Sequence, residues 1–110
     1  MVLSGDVHAA MVNDVTVDNA PGGEVVATEL IGSSITSAKS NNAQFESALP
    51  ENPQVRYYNG RRRGYLSCTV TRDTWTADFW CVDDVRFADS PVRRGASYVV
   101  RDGAPGAAPA

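Results

Sequence analysis

The chain carries a single histidine, His8, and it stands two places after Asp6, just beyond the apolar pair Val2 and Leu3. If that pair belongs to a strand, its exit into a loop opened by Gly5 is a position from which rigid backbone can aim side chains into a cleft. A carboxylate is a hard oxygen donor and an imidazole a borderline nitrogen donor, so Asp6 and His8 can share a metal centre. On spacing alone, the plainer reading is a glycine turn with an exposed aspartate and an incidental histidine.

Other constellations offer less. A serine nucleophile would have only His8 as its base, and no Gly-x-Ser-x-Gly elbow is present. No glycine-rich loop is spaced to cradle a phosphate. Asp83 and Asp84 are sequence neighbours, so on a continuing strand they face opposite ways and read as a solvated strand exit. Arg61, Arg62 and Arg63, beside Asn59 and Gly60, read as a solvated turn.

The elements that must position these residues are mostly strands. Val2 and Leu3 are expected in a short buried strand. Val15 and Val17 alternate with Thr16 and Asp18 in a brief half-exposed one, ahead of a turn over residues 19–23. Val25 to Ile31 makes a firmer strand closed by Gly32, and residues 33–40 form an exposed loop. Asn42 to Leu49 can make two helical turns, with Asn41 or Asn42 as cap and Pro50 as stop.

From Val55 onward the pattern is β. Leu66, Cys68 and Val70 share one face, as do Trp75, Ala77, Phe79 and Cys81. A loop centred on Arg72 and Asp73 makes the two apolar faces coincide, pairing Val70 with Trp75, Cys68 with Ala77 and Leu66 with Phe79. Cys81 then faces Gly64, four positions along from Cys68, which puts the thiols ~13 Å apart at about 3.3 Å per residue. That is too far for a disulfide, so two free structural thiols are expected. A last strand runs from about Arg94 to Val100, and the small, proline-bearing tail that follows is expected to fray.

Composition fits one compact unit: 110 residues, 43% hydrophobic and 21% charged. The formal net charge of −3, with 10 cationic side chains among 13 acidic ones, leaves no broad positive field for nucleic acid. No apolar stretch approaches the ~20 residues that cross a bilayer. No basic region followed by an apolar segment opens the chain, so no secretory signal is read on this polypeptide.

Several separate blocks together resemble the final third of alkaline phosphatase D-like metallophosphoesterases. They are VLSGDVH, VVATELIGSSITS, NPQVRYYNGRRRGYLSCTVT, DTWTADFWCVDDV and PVRRGASYVVRDGAPG. The resemblance runs from about Val2 to Gly106. Gly5, Asp6, Val7 and His8 occupy the place of the Gly-His-x-His motif that follows a core strand in metallophosphoesterases, with aspartate for the first histidine, as is typical of this branch. It implies Asp6 and His8 as metal ligands, His8 also being placed to meet the substrate phosphate as a catalytic group. It further implies iron and calcium as cofactors, a match for a carboxylate's preference for hard ions. Gly32, Ser33 and Ser34 match a recurring family loop.

The fold so implied is α+β and mostly β. It is the C-terminal part of an α/β/β/α sandwich with an antiparallel, hairpin-rich region, over residues 1–102, with 103–110 as a flexible tail. The implied reaction is hydrolysis of phosphate mono- or diesters by metal-activated water. The family's earlier ligand motifs have no counterpart here, so the isolated chain is expected to be inactive, and a truncated or split reading frame would account for its length. Full-length members are commonly exported to the periplasm or beyond. The rival reading is a non-catalytic β-rich binding or structural module. Unpartnered strands also lead us to expect marginal stability and association through exposed edges.

Overall fold

The computed structural model describes all 110 residues. Two four-stranded sheets account for most of the chain. The first contains β1 (Val2–Ser4), β2 (Ala10–Thr16), β3 (Val25–Ile31) and β4 (Val55–Asn59), in the order β1-β3-β2-β4. β1 runs parallel to β3, and the remaining pairs are antiparallel. The second is an antiparallel meander of β5 (Arg63–Val70), β6 (Thr74–Val82), β7 (Val92–Arg101) and β8 (Ala104–Pro109). One helix, α1 (Asn42–Ala48), precedes β4, and a 3-10 turn over Leu49–Glu51 follows it with Pro50 inside.

The sheets meet through one buried cluster, with Ala10, Val12 and Leu30 from the first and Ala77, Phe79 and Ala107 from the second. Tyr57 bridges them, its ring 5.3 Å from that of Phe79 and 5.7 Å from that of Tyr98. Phe79, Leu30 and Val12 are the largest wholly buried apolar side chains; burying each stabilises the fold by roughly 1.5–3 kcal/mol. The other face of the first sheet carries a smaller cluster of Ala9, Met11 and Ile31. Near it α1 contributes Phe45, stacked on Tyr58 at 6.0 Å.

The β5–β6 register is the expected one, Val70 opposite Trp75, Cys68 opposite Ala77 and Leu66 opposite Phe79. Its loop closes through Thr71, whose N–H donates to the Thr74 carbonyl at 2.8 Å, with Arg72 and Asp73 between them. Cys81 faces Gly64, and both cysteines are free. Gly64 is required sterically, because a Cβ there would run into the Trp80 carbonyl oxygen.

Three expectations need correction. β1 forms, but its apolar residues are not buried: Val2 and Leu3 are 46% and 57% exposed, since the strand is short and lies at the sheet edge. β2 begins at Ala10, well before Val15, and is buried on both faces at its start, so it lacks the alternation that marks a one-sided strand. The tail is not frayed. Residues 104–109 pair with β7, placing Pro109 opposite Tyr98 and Ala108 opposite Val99. Both of its prolines sit on an outer strand, where a missing N–H need not break a ladder.

Candidate functional site

The segment leaving β1 turns sharply. Gly5 accepts a hydrogen bond from the Val7 N–H at 2.9 Å, and Asp6 between them has φ of 75°. A bond spanning two residues around a positive φ is a γ-turn, among the more strained ways for a chain to reverse. His8 is also left-handed, at φ 58°. Aspartate and histidine enter this region more readily than most residues, but each still costs on the order of 1–3 kcal/mol. The packing that follows holds the turn, since Ala9 is wholly buried and Ala10 nearly so.

Asp6 is exposed and His8 half-buried. The His8 ring is anchored, with Nδ1 3.0 Å from the carbonyl oxygen of Ala38. A carbonyl only accepts, so Nδ1 carries the proton, and in the neutral ring Nε2 keeps its lone pair. A backbone carbonyl on one ring nitrogen is the usual way in which a metal-binding histidine is oriented through its other nitrogen. Asp6 and His8 thus offer a solvent-facing carboxylate and an imidazole of fixed tautomer from one turn. Their donor chemistry fits a hard or borderline divalent ion. Their number falls short, because nowhere in the chain do three or more His, Cys, Asp or Glu side chains converge as a metal site.

The residue that holds this region together is Arg63. It was expected in a solvated turn with Arg61 and Arg62, yet it is only 7% exposed. The two protons on Nη1 are shared among the His8 carbonyl (2.8 Å), Ser34 Oγ (2.9 Å) and the Ser37 carbonyl (2.8 Å), while Nη2 donates to the Gly60 carbonyl. One guanidinium thereby ties the His8 turn, the 34–37 loop and the turn before β5. None of these acceptors is charged, and burial pushes the Arg63 pKa below its usual value, opposed by the nearby Tyr58. Strand alternation could not have found it, since Arg63 shares a face with the exposed Tyr65, Ser67 and Thr69, and it is the loops meeting at the start of β5 that enclose it.

The serines of the 32–34 loop are occupied. Ser34 donates to the Ser37 carbonyl while accepting from Arg63, and Ser33 donates to the Arg62 carbonyl at 3.3 Å. β6 ends at Val82, so Asp83 and Asp84 do not lie on a continuing strand; beyond its exit Asp83 pairs with Arg62 and Arg93, and Asp84 with Arg86. The Arg86 side chain and backbone N–H hold the Asp84 carboxyl down to about 2. Arg61 makes a two-pronged pair with Glu46, both contacts at 2.8 Å.

The family model for PhoD-like phosphatases matches residues 1–79, a span that includes the Asp6–His8 turn and Arg63. The chain therefore belongs to the PhoD-like phosphatase family. It is 34% identical over 103 residues to alkaline phosphatase D of Bacillus subtilis (strain 168), covering 90% of this chain and 18% of that protein. A solved structure of PhoD superposes with a TM-score of 0.77 at 34% identity, over 91% of this chain and 20% of that one. The mostly β, antiparallel architecture agrees with that structure. The chain spans about a fifth of the length of the relatives it matches.

Proposed function

We propose that this chain is the carboxy-terminal portion of a metal-dependent phosphomonoesterase or phosphodiesterase, and that Asp6 and His8 are its contribution to the metal site. The observation that carries the reading is the tautomer-fixing bond from His8 Nδ1 to the Ala38 carbonyl, which leaves Nε2 free two residues along the turn from an exposed aspartate. Iron and calcium, the ions that family membership implies, would supply Lewis-acid activation of water and neutralise charge on phosphoryl oxygens when bound. Asp6 would hold a hard ion through its carboxylate. His8 would complete the coordination or donate toward a phosphoryl oxygen, and Arg63 would keep the turn in place beneath both. The remaining donors, and the helical layers of an α/β/β/α sandwich, would come from the rest of a full-length protein. Alone, the 110-residue chain is then inactive.

The test uses the chain by itself. Paramagnetic Mn²⁺ titrated into it should broaden amide resonances around residues 5–9 weakly and selectively, and Asp6→Asn or His8→Gln should abolish that selectivity. Broadening centred elsewhere, or untouched by both substitutions, would remove these residues from the site and favour the rival reading of a non-catalytic β-rich module. Turnover of p-nitrophenyl phosphate or its bis-ester by this chain, with iron and calcium supplied, would show that two donors suffice and overturn the claim of inactivity.

A further inference from the structure

Away from the Asp6–His8 turn, an open cleft of about 680 Å³ lies between the Asn59–Arg62 turn, the end of β6 and the start of β7. Its wall carries the side chains of Arg62 and Arg93, with Asn59 and Cys81 beside them and Asp83 as the one carboxylate. We propose that this cleft binds a tetrahedral oxyanion, inorganic phosphate or the phosphoryl head of a phosphate monoester.

The donor inventory carries the argument. Each guanidinium presents five N–H groups. Arg62 uses Nη1 on the Asp83 carbonyl and Oδ1, and Arg93 uses Nε on Asp83 Oδ2 at 3.1 Å. Arg94, opposite Trp80, turns its guanidinium to the other face of the sheet, toward Asp78 at 3.7 Å, and takes no part. Most of the donors of Arg62 and Arg93 therefore remain free, and the two side chains are 50% and 69% exposed to an arriving anion. Asp83 holds both in place before any ligand comes, which lowers the ordering cost of binding. Two positive charges against one negative make the cleft locally cationic on a chain whose net charge is −3. Forked guanidinium donors suit the oxygens of phosphate better than ammonium groups do. Cys81 takes no part, since its thiol is buried and burial raises its pKa. The patch is too small for a nucleic-acid backbone, so the ligand is a single phosphoryl group.

Calorimetric titration of the whole chain reads this directly, and works equally on a monomer or an assembly. Inorganic phosphate should bind saturably, and Arg62→Gln or Arg93→Gln should each weaken it by about tenfold, ~1.4 kcal/mol. Arg72→Gln and Arg101→Gln, at the opposite loops, should leave it unchanged, and circular dichroism of every variant should match the parent. Titration with glycerol 2-phosphate separates the two sources: tighter binding than phosphate means that the ester is preferred, and weaker binding means the free ion. No saturable phosphate binding, or equal losses from the Arg72 and Arg101 variants, would overturn the proposal. Because Asp6→Asn should not alter this affinity, the result stands or falls separately from the metal site.

Discussion

Truncating Arg63 to alanine should destabilise the protein far more than its place in a run of three arginines implies. The guanidinium gives three protons to four neutral acceptors, namely the carbonyls of His8, Ser37 and Gly60 and the hydroxyl of Ser34. Hydrogen bonds from a charged donor contribute roughly 1.5–3 kcal/mol each, so about 5–9 kcal/mol of gross interaction disappears. Against that stands relief from keeping a guanidinium out of water with no counter-ion, on the order of several kcal/mol. The net loss should be ~2–4 kcal/mol. With a urea m value of roughly 1.5 kcal/mol/M, the unfolding midpoint should fall by about 2 M. Arg63→Lys should recover little, since one ammonium cannot reach acceptors arranged around a planar fork. Amide exchange at Val7–Ala9 should quicken in both variants, because the His8 carbonyl loses its anchor. An Arg63→Ala midpoint within ~0.3 M of the parent, with exchange at Val7–Ala9 unchanged, would refute this account of how the turn is held.

Gly64→Ala should cost at least about 3 kcal/mol or prevent folding, as the added methyl meets the Trp80 carbonyl, a backbone atom that cannot swing aside; thermal unfolding checks it. The Asp84 carboxyl, depressed to about 2 by Arg86, should contribute stability that is present above the ordinary aspartate pKa of 3.8 and is lost as pH falls through about 2. Carbon-detected titration should show its midpoint returning toward 3.8 in Arg86→Gln, and an unmoved midpoint would disprove the pairing. β1 leaves one edge unpaired with Leu3 57% exposed, so Leu3→Lys should reduce any concentration-dependent association seen by sedimentation. In native hydrogen exchange, the β5–β6 ladder should protect best and β1 least.

How much of this was legible depends on which faces each strand buries. The β5–β6 pairing could be read to the residue because only one face of each strand is apolar, and a slip would expose it. β2 could not, since the run Ala9–Val12 is buried throughout and has no period of two. β8 is built from alanine, glycine and proline, which carry little strand preference, and it forms because β7 offers it a ladder and Ala107 reaches the shared core. Asp6 and His8 were visible as residue types at a strand exit, and the family resemblance gave them a role. The left-handed turn that presents them and the carbonyl of Ala38 that fixes the ring were not, because the first is held by Arg63 and the second lies 30 residues away. The burial of Arg63 was hidden by its neighbours, as three identical letters conceal that the third enters the sheet.

The order of the strands has one more consequence. Every strand of the first sheet precedes Gly60 and every strand of the second follows Arg62, so the chain crosses from layer to layer once. A nick between Arg61 and Arg62 would sever that single seam while leaving each sheet whole, and the halves would stay together as two peptides clasped by side chains and by the bond from the Gly64 N–H to the Ser34 carbonyl. Complementation between separately made halves is thus open to this architecture in a way that a sandwich with interleaved strands would forbid.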